Sequence, residues 1–276
     1  MFEPDVLMDA QIERPFAYDD HAVRLYHLGI GAKATDLHWV WEERLRVLPT
    51  FAVVPGFVPI EDCVQLPGFG IDLAALVHER QAIWVHGSLP TRAAGVARMR
   101  VRAIEDRRVG ASVTFANTLT TDDGRTLATT EMTTFINGVG GCGNHGDVQK
   151  ARPARMRGDA DLRVEVPTSP DMAALYRLNG DTNPLHIDPD LAHRAGFERP
   201  ILHGLASLGL VTRTVVDGLL DGDPAPVSGV QCRFANPVLP GQTVTVEAQH
   251  ADDNQILMRA LVDGQTVLKE AVLTLV

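Results

Sequence analysis

The spacing of apolar and polar residues changes from helical to alternating twice along the chain. Ala22–Leu28 and Met172–Leu178 carry apolar residues at helical spacing behind Asp19-Asp20 and Ser169-Pro170-Asp171, which read as helix starts. Pro170 suits a first helical turn. A second helix is predicted in each half, spanning His203–Leu220 in the C-terminal one. Alternating, β-branched stretches follow: Val96–Ile104, Ala111–Thr120 and Arg125–Asn137, then Gln242–Gln249, Ile256–Val262 and Thr266–Val276. Asp123-Gly124 and Asp263-Gly264 are turn signals within those runs. Helices early and antiparallel strands late imply α+β, a curled sheet with a long helix against it, built twice. Edge pairing of the two antiparallel sheets would give one pseudo-twofold body.

Landmark residues support duplication. Tyr26-His27-Leu28-Gly29 resembles Tyr176-Arg177-Leu178-Asn179-Gly180, and Pro49-Thr50-Phe51 resembles Pro200-Ile201-Leu202. Leu89-Pro90-Thr91 matches Leu239-Pro240-Gly241, and the two Asp-Gly turns match each other. The order is shared and the offset is roughly 150 residues, which divides the chain into repeats 1–145 and 146–276. Between them, Gly138, Gly140 and Gly143 satisfy a GxGxxG spacing. No helix pattern follows, so a flexible linker is expected there and not a nucleotide loop.

The chain has 276 residues, 45% of them hydrophobic and 22% charged, the balance of a core-forming protein. Thirty-five acidic residues against 25 Lys and Arg give a formal charge of −10, which argues against nucleic acid or an anionic membrane as the main partner. Aromatics at 5% offer few stacking platforms for bases. Cys63, Cys142 and Cys232 form neither a disulfide framework nor a zinc set, so a cytoplasmic location is expected. No leader pattern opens the chain, and no apolar run is long enough to span a bilayer.

The densest chemistry lies in Gly180-Asp181-Thr182-Asn183-Pro184-Leu185-His186-Ile187-Asp188. Gly180 suits a helix C-terminus and Pro184 forbids continuation, so Asp181, Asn183 and His186 are displayed on a turn. A carboxylate and an imidazole together can hold and deprotonate water; alternatively, Asp181 caps the turn and His186 packs in it. Gly204 starts an apolar helix after Pro200-Ile201-Leu202-His203, where its N–H can point outward with the helix dipole behind it. Close helix packing is the other reading of that glycine. The N-terminal repeat has no equivalent Asp–Asn–His set: positions 31 and 36 are Gly31 and Asp36. One active site in the second repeat follows. Zinc held by His186, Asp188 and His193 is a poor match, because all three sit on one short loop.

Gly180–His186 together with Pro200–Gly204 resembles the MaoC-like, (R)-specific type 2 enoyl-CoA hydratases, and Tyr26–Ala32 with Leu48–Val54 resembles the degenerate first repeat of the two-copy members. Asp106-Arg107-Arg108-Val109 departs from the lysine-containing turn of that family. The resemblance implies a double hot-dog fold, two antiparallel sheets each with a long helix against it. It further implies reversible hydration of trans-2-enoyl-CoA to (3R)-3-hydroxyacyl-CoA, in fatty-acid or steroid side-chain β-oxidation or a related pathway. Asp181 and His186 would hold the water, Asn183 would support them, and the Gly204 N–H would bind the thioester oxygen. Arg233, a cation chosen for CoA phosphate, and His203 are the candidate substrate-binding residues. Repeat 1–145 would be non-catalytic and accommodate the acyl group. No metal or cofactor is expected, and the chain is expected to form a homodimer. The alternatives are an acyl-CoA thioesterase and a silent acyl-thioester-binding protein.

Overall fold

The alternating segments assemble into one continuous antiparallel sheet. In the computed structural model, residues 2–71, 76–148, 156–252 and 254–276 are described. The first half supplies β1 (Gln11–Tyr18), β2 (Leu76–Val85), β3 (Ala93–Arg107), β4 (Gly110–Thr121), β5 (Thr126–Asn137) and the short β6 (His145–Gly146). The second supplies β7 (Leu162–Pro167), β8 (Val227–Phe234), β9 (Thr243–Asp252), β10 (Gln255–Val262) and β11 (Gln265–Leu275). Their order is β1-β3-β4-β5-β2-β8-β11-β10-β9-β7, with β6 on β3. Outward from the centre, β2-β5-β4-β3-β1 on one side mirrors β8-β11-β10-β9-β7 on the other. β2 and β8 pair from Arg80↔Arg233 to Trp84↔Gly229, which covers two edges that would otherwise carry unpaired backbone groups.

This is the expected α+β double hot-dog, and the landmarks occupy matching places. Tyr26 lies in helix Asp20–Gly29 after β1, and Tyr176 in helix Met172–Tyr176 after β7. The two helices meet between the halves, with the Tyr26 and Tyr176 rings 6.2 Å apart. A Cβ on Gly29 would lie 3.0 Å from Asn179 Nδ2 and 3.3 Å from Tyr176 Cα, so that approach requires glycine. Asp263 and Gly264 join β10 to β11 with φ of 49° and 76°, the positive values of a two-residue hairpin turn.

Among the described residues, the long helix is present in one half only. Helix Gly204–Leu219 is buried continuously from Leu205 to Val216, as expected of a helix apolar all round. At the matching place in the first half, the expected second helix is replaced by helical turns. These are Leu37–Val40, Glu42–Arg44, Pro49–Val53 and Ile60–Cys63, each five residues or fewer. Pro49, Pro55, Pro59 and Pro67 recur too closely for a helix to propagate. These turns cover the first half's sheet in its place, with Phe51, Ala52, Val58 and Cys63 in the core, and a cavity of about 40 Å³ remains beside them.

Two further readings are settled by the packing. The glycine-rich connection is anchored, not flexible, up to residue 146: the Gly141 and Gly143 N–H groups both donate to the Asp106 carboxylate at 2.9 Å. Gly146 pairs with Ala103 and His145 with Ile104, keeping this segment on the first half's sheet. The backbone donors that a nucleotide phosphate would need are satisfied by Asp106. Among the described residues, no helix is long and apolar enough to cross a membrane.

Candidate active site

Helix Met172–Tyr176 tightens into a 3-10 turn, Arg177–Asn179, and stops at Gly180, whose φ of +109° only glycine adopts without strain. The chain then reverses through Asp181–Asn183. Arg177 Nη1 donates to the Thr182 carbonyl at 2.7 Å and the Asn183 carbonyl at 2.8 Å, pinning the loop from inside. Asn183 caps the next turn, Pro184–His186, by accepting from the Leu185 N–H at 3.0 Å, and its own N–H reaches Asp181 Oδ1 at 3.3 Å. Asn183 thus sets the loop geometry that presents Asp181 and His186.

His186 is 9% exposed, and its Nδ1 lies 2.8 Å from the Ile201 carbonyl. A carbonyl only accepts, so Nδ1 carries the proton of the neutral ring and Nε2 carries the lone pair. His203 lies behind it, 1% exposed, with ring centroids 3.7 Å apart and planes at 29°. His203 Nε2 donates to the Asp181 backbone carbonyl at 3.2 Å. Burial, and then the neighbouring His186, push its pKa down to about 2, which keeps it neutral. His203, expected as a substrate-binding residue, is placed behind both candidate catalytic groups and braces them.

Polar atoms of Asp181, His186 and His203 lie within 4.8 Å of one another. Burial raises the Asp181 carboxyl above the ordinary carboxylate range, opposed by the Asn183 N–H bond and by Arg177. A carboxyl so placed is suited to exchanging a proton. The stacking of the two imidazoles is unsuited to a shared metal, which would have to lie near both ring planes at once. The zinc set raised from the sequence is dispersed: Asp188 accepts from the Asp190 and Leu191 N–H groups, and His193 Nε2 bonds the Glu198 carbonyl.

Gly204 is the first residue of its 16-residue helix, with no helical carbonyl behind it for its N–H. It follows His203 directly, so the helix N-terminus and the Asp181–His186 pair are one structural unit. A Cβ at Gly204 would sit 3.1 Å from the Phe234 ring. Both readings of this glycine are thus compatible, since close packing accompanies the exposed helix start. Phe234, absent from the sequence-derived set, contacts His78 edge-on at 4.8 Å, and burial lowers the His78 pKa to about 4. Nothing in the local sequence of β8 signals that contact. Arg233, one residue earlier in the strand, points to the opposite face. It is engaged by Glu79 of β2 at 3.1 Å and by Glu270 of β11 at 3.6 Å, the strands on either side of β8.

The cavity beside the turns that replace the long helix lies between Leu205 and the sheet of the first half. Val53, Phe57, Met99, Phe115 and Met132 contribute its apolar wall.

Comparison with known proteins agrees with this architecture. Residues 153–272 match the MaoC like domain and residues 16–138 the MFE-2 hydratase 2 N-terminal domain. The chain is 37% identical to enoyl-CoA hydratase ChsH3 of Mycobacterium tuberculosis over 88% of this chain and 87% of that protein. It is 32% identical to the peroxisomal enoyl-CoA hydratase 2 of Arabidopsis thaliana, over 89% and 86%. Against peroxisomal multifunctional enzyme type 2 of Drosophila melanogaster, the structural match has a TM-score of 0.81 at 35% identity, covering 96% of this chain and 48% of that one. A MaoC-like dehydratase from Phytophthora capsici superposes with a TM-score of 0.90 at 25% identity, over 99% and 97%. With two repeats in the same order and this identity over nearly its whole length, the chain belongs to the MaoC-like enoyl-CoA hydratase 2 family.

Proposed function

We propose that the protein reversibly hydrates trans-2-enoyl-CoA to (3R)-3-hydroxyacyl-CoA. The observation that carries this is the grouping of Asp181 and His186 at the start of the helix that begins at Gly204. The thioester oxygen accepts from the Gly204 N–H, with the helix dipole behind it, and the β-carbon becomes electrophilic. Losing one such donor typically costs ~3–4 kcal/mol of transition-state stabilisation. Water held by Asp181 and His186 attacks the β-carbon, so its oxygen ends on that carbon. Between them the two side chains take one proton from the water and return one to the α-carbon on the same face. Negative charge develops on the thioester oxygen while the side chain that takes the water's proton gains the opposite charge, and delivery of a proton to the α-carbon restores both.

The first repeat is proposed to accommodate the acyl tail at the cavity beside the turns that replace its long helix. Any contact of Arg233 with a CoA phosphate would compete with Glu79 and Glu270, and Arg233→Ala with a CoA affinity measurement tests that role. The pathway is proposed to be fatty-acid or steroid side-chain β-oxidation, or a related acyl-CoA pathway, and the location cytoplasmic. The proposed reaction is tested by following loss of the conjugated enoyl absorbance with wild type, Asp181→Asn and His186→Ala. Turnover confined to the wild type supports it. Full activity in both variants refutes the assignment of the pair, and release of free thiol would indicate a thioesterase instead.

A further inference from the structure

The cavity in the first half is not uniformly apolar. Asn117 on β4 and Thr130 on β5 are direct partners in register, and both line it together with Gln81 on β2. Gln81 and Thr130 are 3% and 7% exposed. Phe115 and Met132 lie on the same strands two residues away, so polar and apolar side chains share one face of the sheet. Gln81 donates to the Ala82 carbonyl at 3.2 Å, whereas Asn117 keeps a buried oxygen without a partner, which is unfavourable in a groove serving only a hydrocarbon tail.

Asn117 is the member that points to a ligand. Its Nδ2 donates weakly to the Gly56 carbonyl at 3.5 Å, which fixes the amide orientation because a carbonyl only accepts. Gly56 itself is held in place, as a Cβ there would lie 2.1 Å from Ala97 Cβ and its φ is +68°. Asn117 lines the cavity, and among the described residues its Oδ1 is buried with no hydrogen-bond donor, an acceptor still to be satisfied. The cavity continues to Leu205, the residue after Gly204. A tail leaving the thioester site past Leu205 therefore meets Asn117 and Thr130 on the sheet beneath.

We propose that this groove selects acyl-CoA substrates whose tail carries a hydroxyl group, with that hydroxyl donating to Asn117 Oδ1 beside Thr130. This inference rests on the hydratase reading and concerns only which acyl group the enzyme prefers. A site built to hydrogen-bond a substrate hydroxyl rejects the analogue lacking it far more strongly than an apolar pocket rejects one extra hydroxyl.

The test compares medium-chain trans-2-enoyl-CoA esters bearing one hydroxyl at successive tail carbons with the unsubstituted parent. Wild type, Asn117→Leu and Thr130→Val are assayed for kcat/KM, and but-2-enoyl-CoA, which has no tail, serves as the wild-type reference. The expected result is a hydroxyl position preferred over the parent by roughly tenfold or more, with that preference lost or reversed in Asn117→Leu. If Asn117→Leu does not fold, a reduced preference in Thr130→Val carries the same meaning. A wild type that favours the unsubstituted parent at every position overturns the proposal, as does a preference unchanged in both variants. Absence of hydration of every ester tested, but-2-enoyl-CoA included, by the wild type would instead refute the hydratase reading itself.

Discussion

Asp217 connects the two repeats through the central helix, and its removal has a calculable cost. Its Oδ1 accepts from Trp39 Nε1 at 2.9 Å and bonds His38 Nε2 at 3.0 Å, and its Oδ2 accepts from Arg213 Nη1 at 3.1 Å. Trp39 is fully buried and Arg213 is 7% exposed. Asp217→Ala leaves the indole N–H without its acceptor, a loss of about 1–3 kcal/mol for a buried donor. Arg213 keeps the Gly31 carbonyl at 3.1 Å and Asp36 at 3.5 Å. The larger cost of an uncompensated buried charge, about 3–5 kcal/mol, therefore does not apply in full. The Asp217 carboxylate is itself about a third exposed, which further screens the ion pair. A net destabilisation of about 2–3 kcal/mol follows, which for a chain of this size lowers Tm by roughly 4–12 °C. Asp217→Asn, which keeps one oxygen as an acceptor for Trp39, should lose less. Scanning calorimetry of the three proteins in one buffer measures this directly. Turnover well below Tm should persist, because Asp217 lies about 20 Å along the helix from Gly204. A Tm for Asp217→Ala within a degree of wild type would refute the reasoning.

Other outcomes follow from the site. Asp181→Asn should lower kcat by roughly 10²–10⁴-fold and raise Tm at neutral pH. Because the folded carboxyl titrates above its unfolded range, its stabilising contribution is complete at low pH and lost as pH rises through the folded value. The stability gain of Asp181→Asn over wild type should accordingly vanish in acid, as pH-dependent melting would show. For the same reason, a pH–rate profile should lose activity on the acid side above the ordinary carboxylate range if Asp181 must be ionised. Gly204→Ala should cost about 1–3 kcal/mol through contact with Phe234, and adding Phe234→Leu should restore part of the melting temperature. Arg177→Leu should reduce kcat by at least about tenfold by releasing Thr182 and Asn183, with an unchanged circular dichroism spectrum.

The repeat was legible because its signals are local. The Asp-Gly turns, the Tyr landmarks and the alternating strands each arise from a few consecutive residues, and all fall at matching places in the fold. The Asp181–Asn183–His186 loop was legible for the same reason, since Gly180 and Pro184 fix the chain within a few residues. The missing helix was partly written in Pro49, Pro55, Pro59 and Pro67, but expecting the repeats to be alike overrode that signal. What arises across strands was not legible. Phe234 against Gly204, Asn117 beside Thr130, and the stacking of His203 on His186 all join residues distant in sequence. His203 shows the limit well: its motif placed it correctly next to Gly204, whereas its role depends on a burial that only the packing sets. Arg233 was chosen for a CoA phosphate without sight of Glu79 and Glu270, which approach it from other strands.

The most direct test of the hydratase proposal is the stereochemistry of the product. Purified protein is incubated with a trans-2-enoyl-CoA, and the product is offered separately to (3R)- and (3S)-specific 3-hydroxyacyl-CoA dehydrogenases. Oxidation by the (3R) enzyme alone, abolished in Asp181→Asn, is the predicted result. A (3S) product, or none from a well-folded protein, would contradict it.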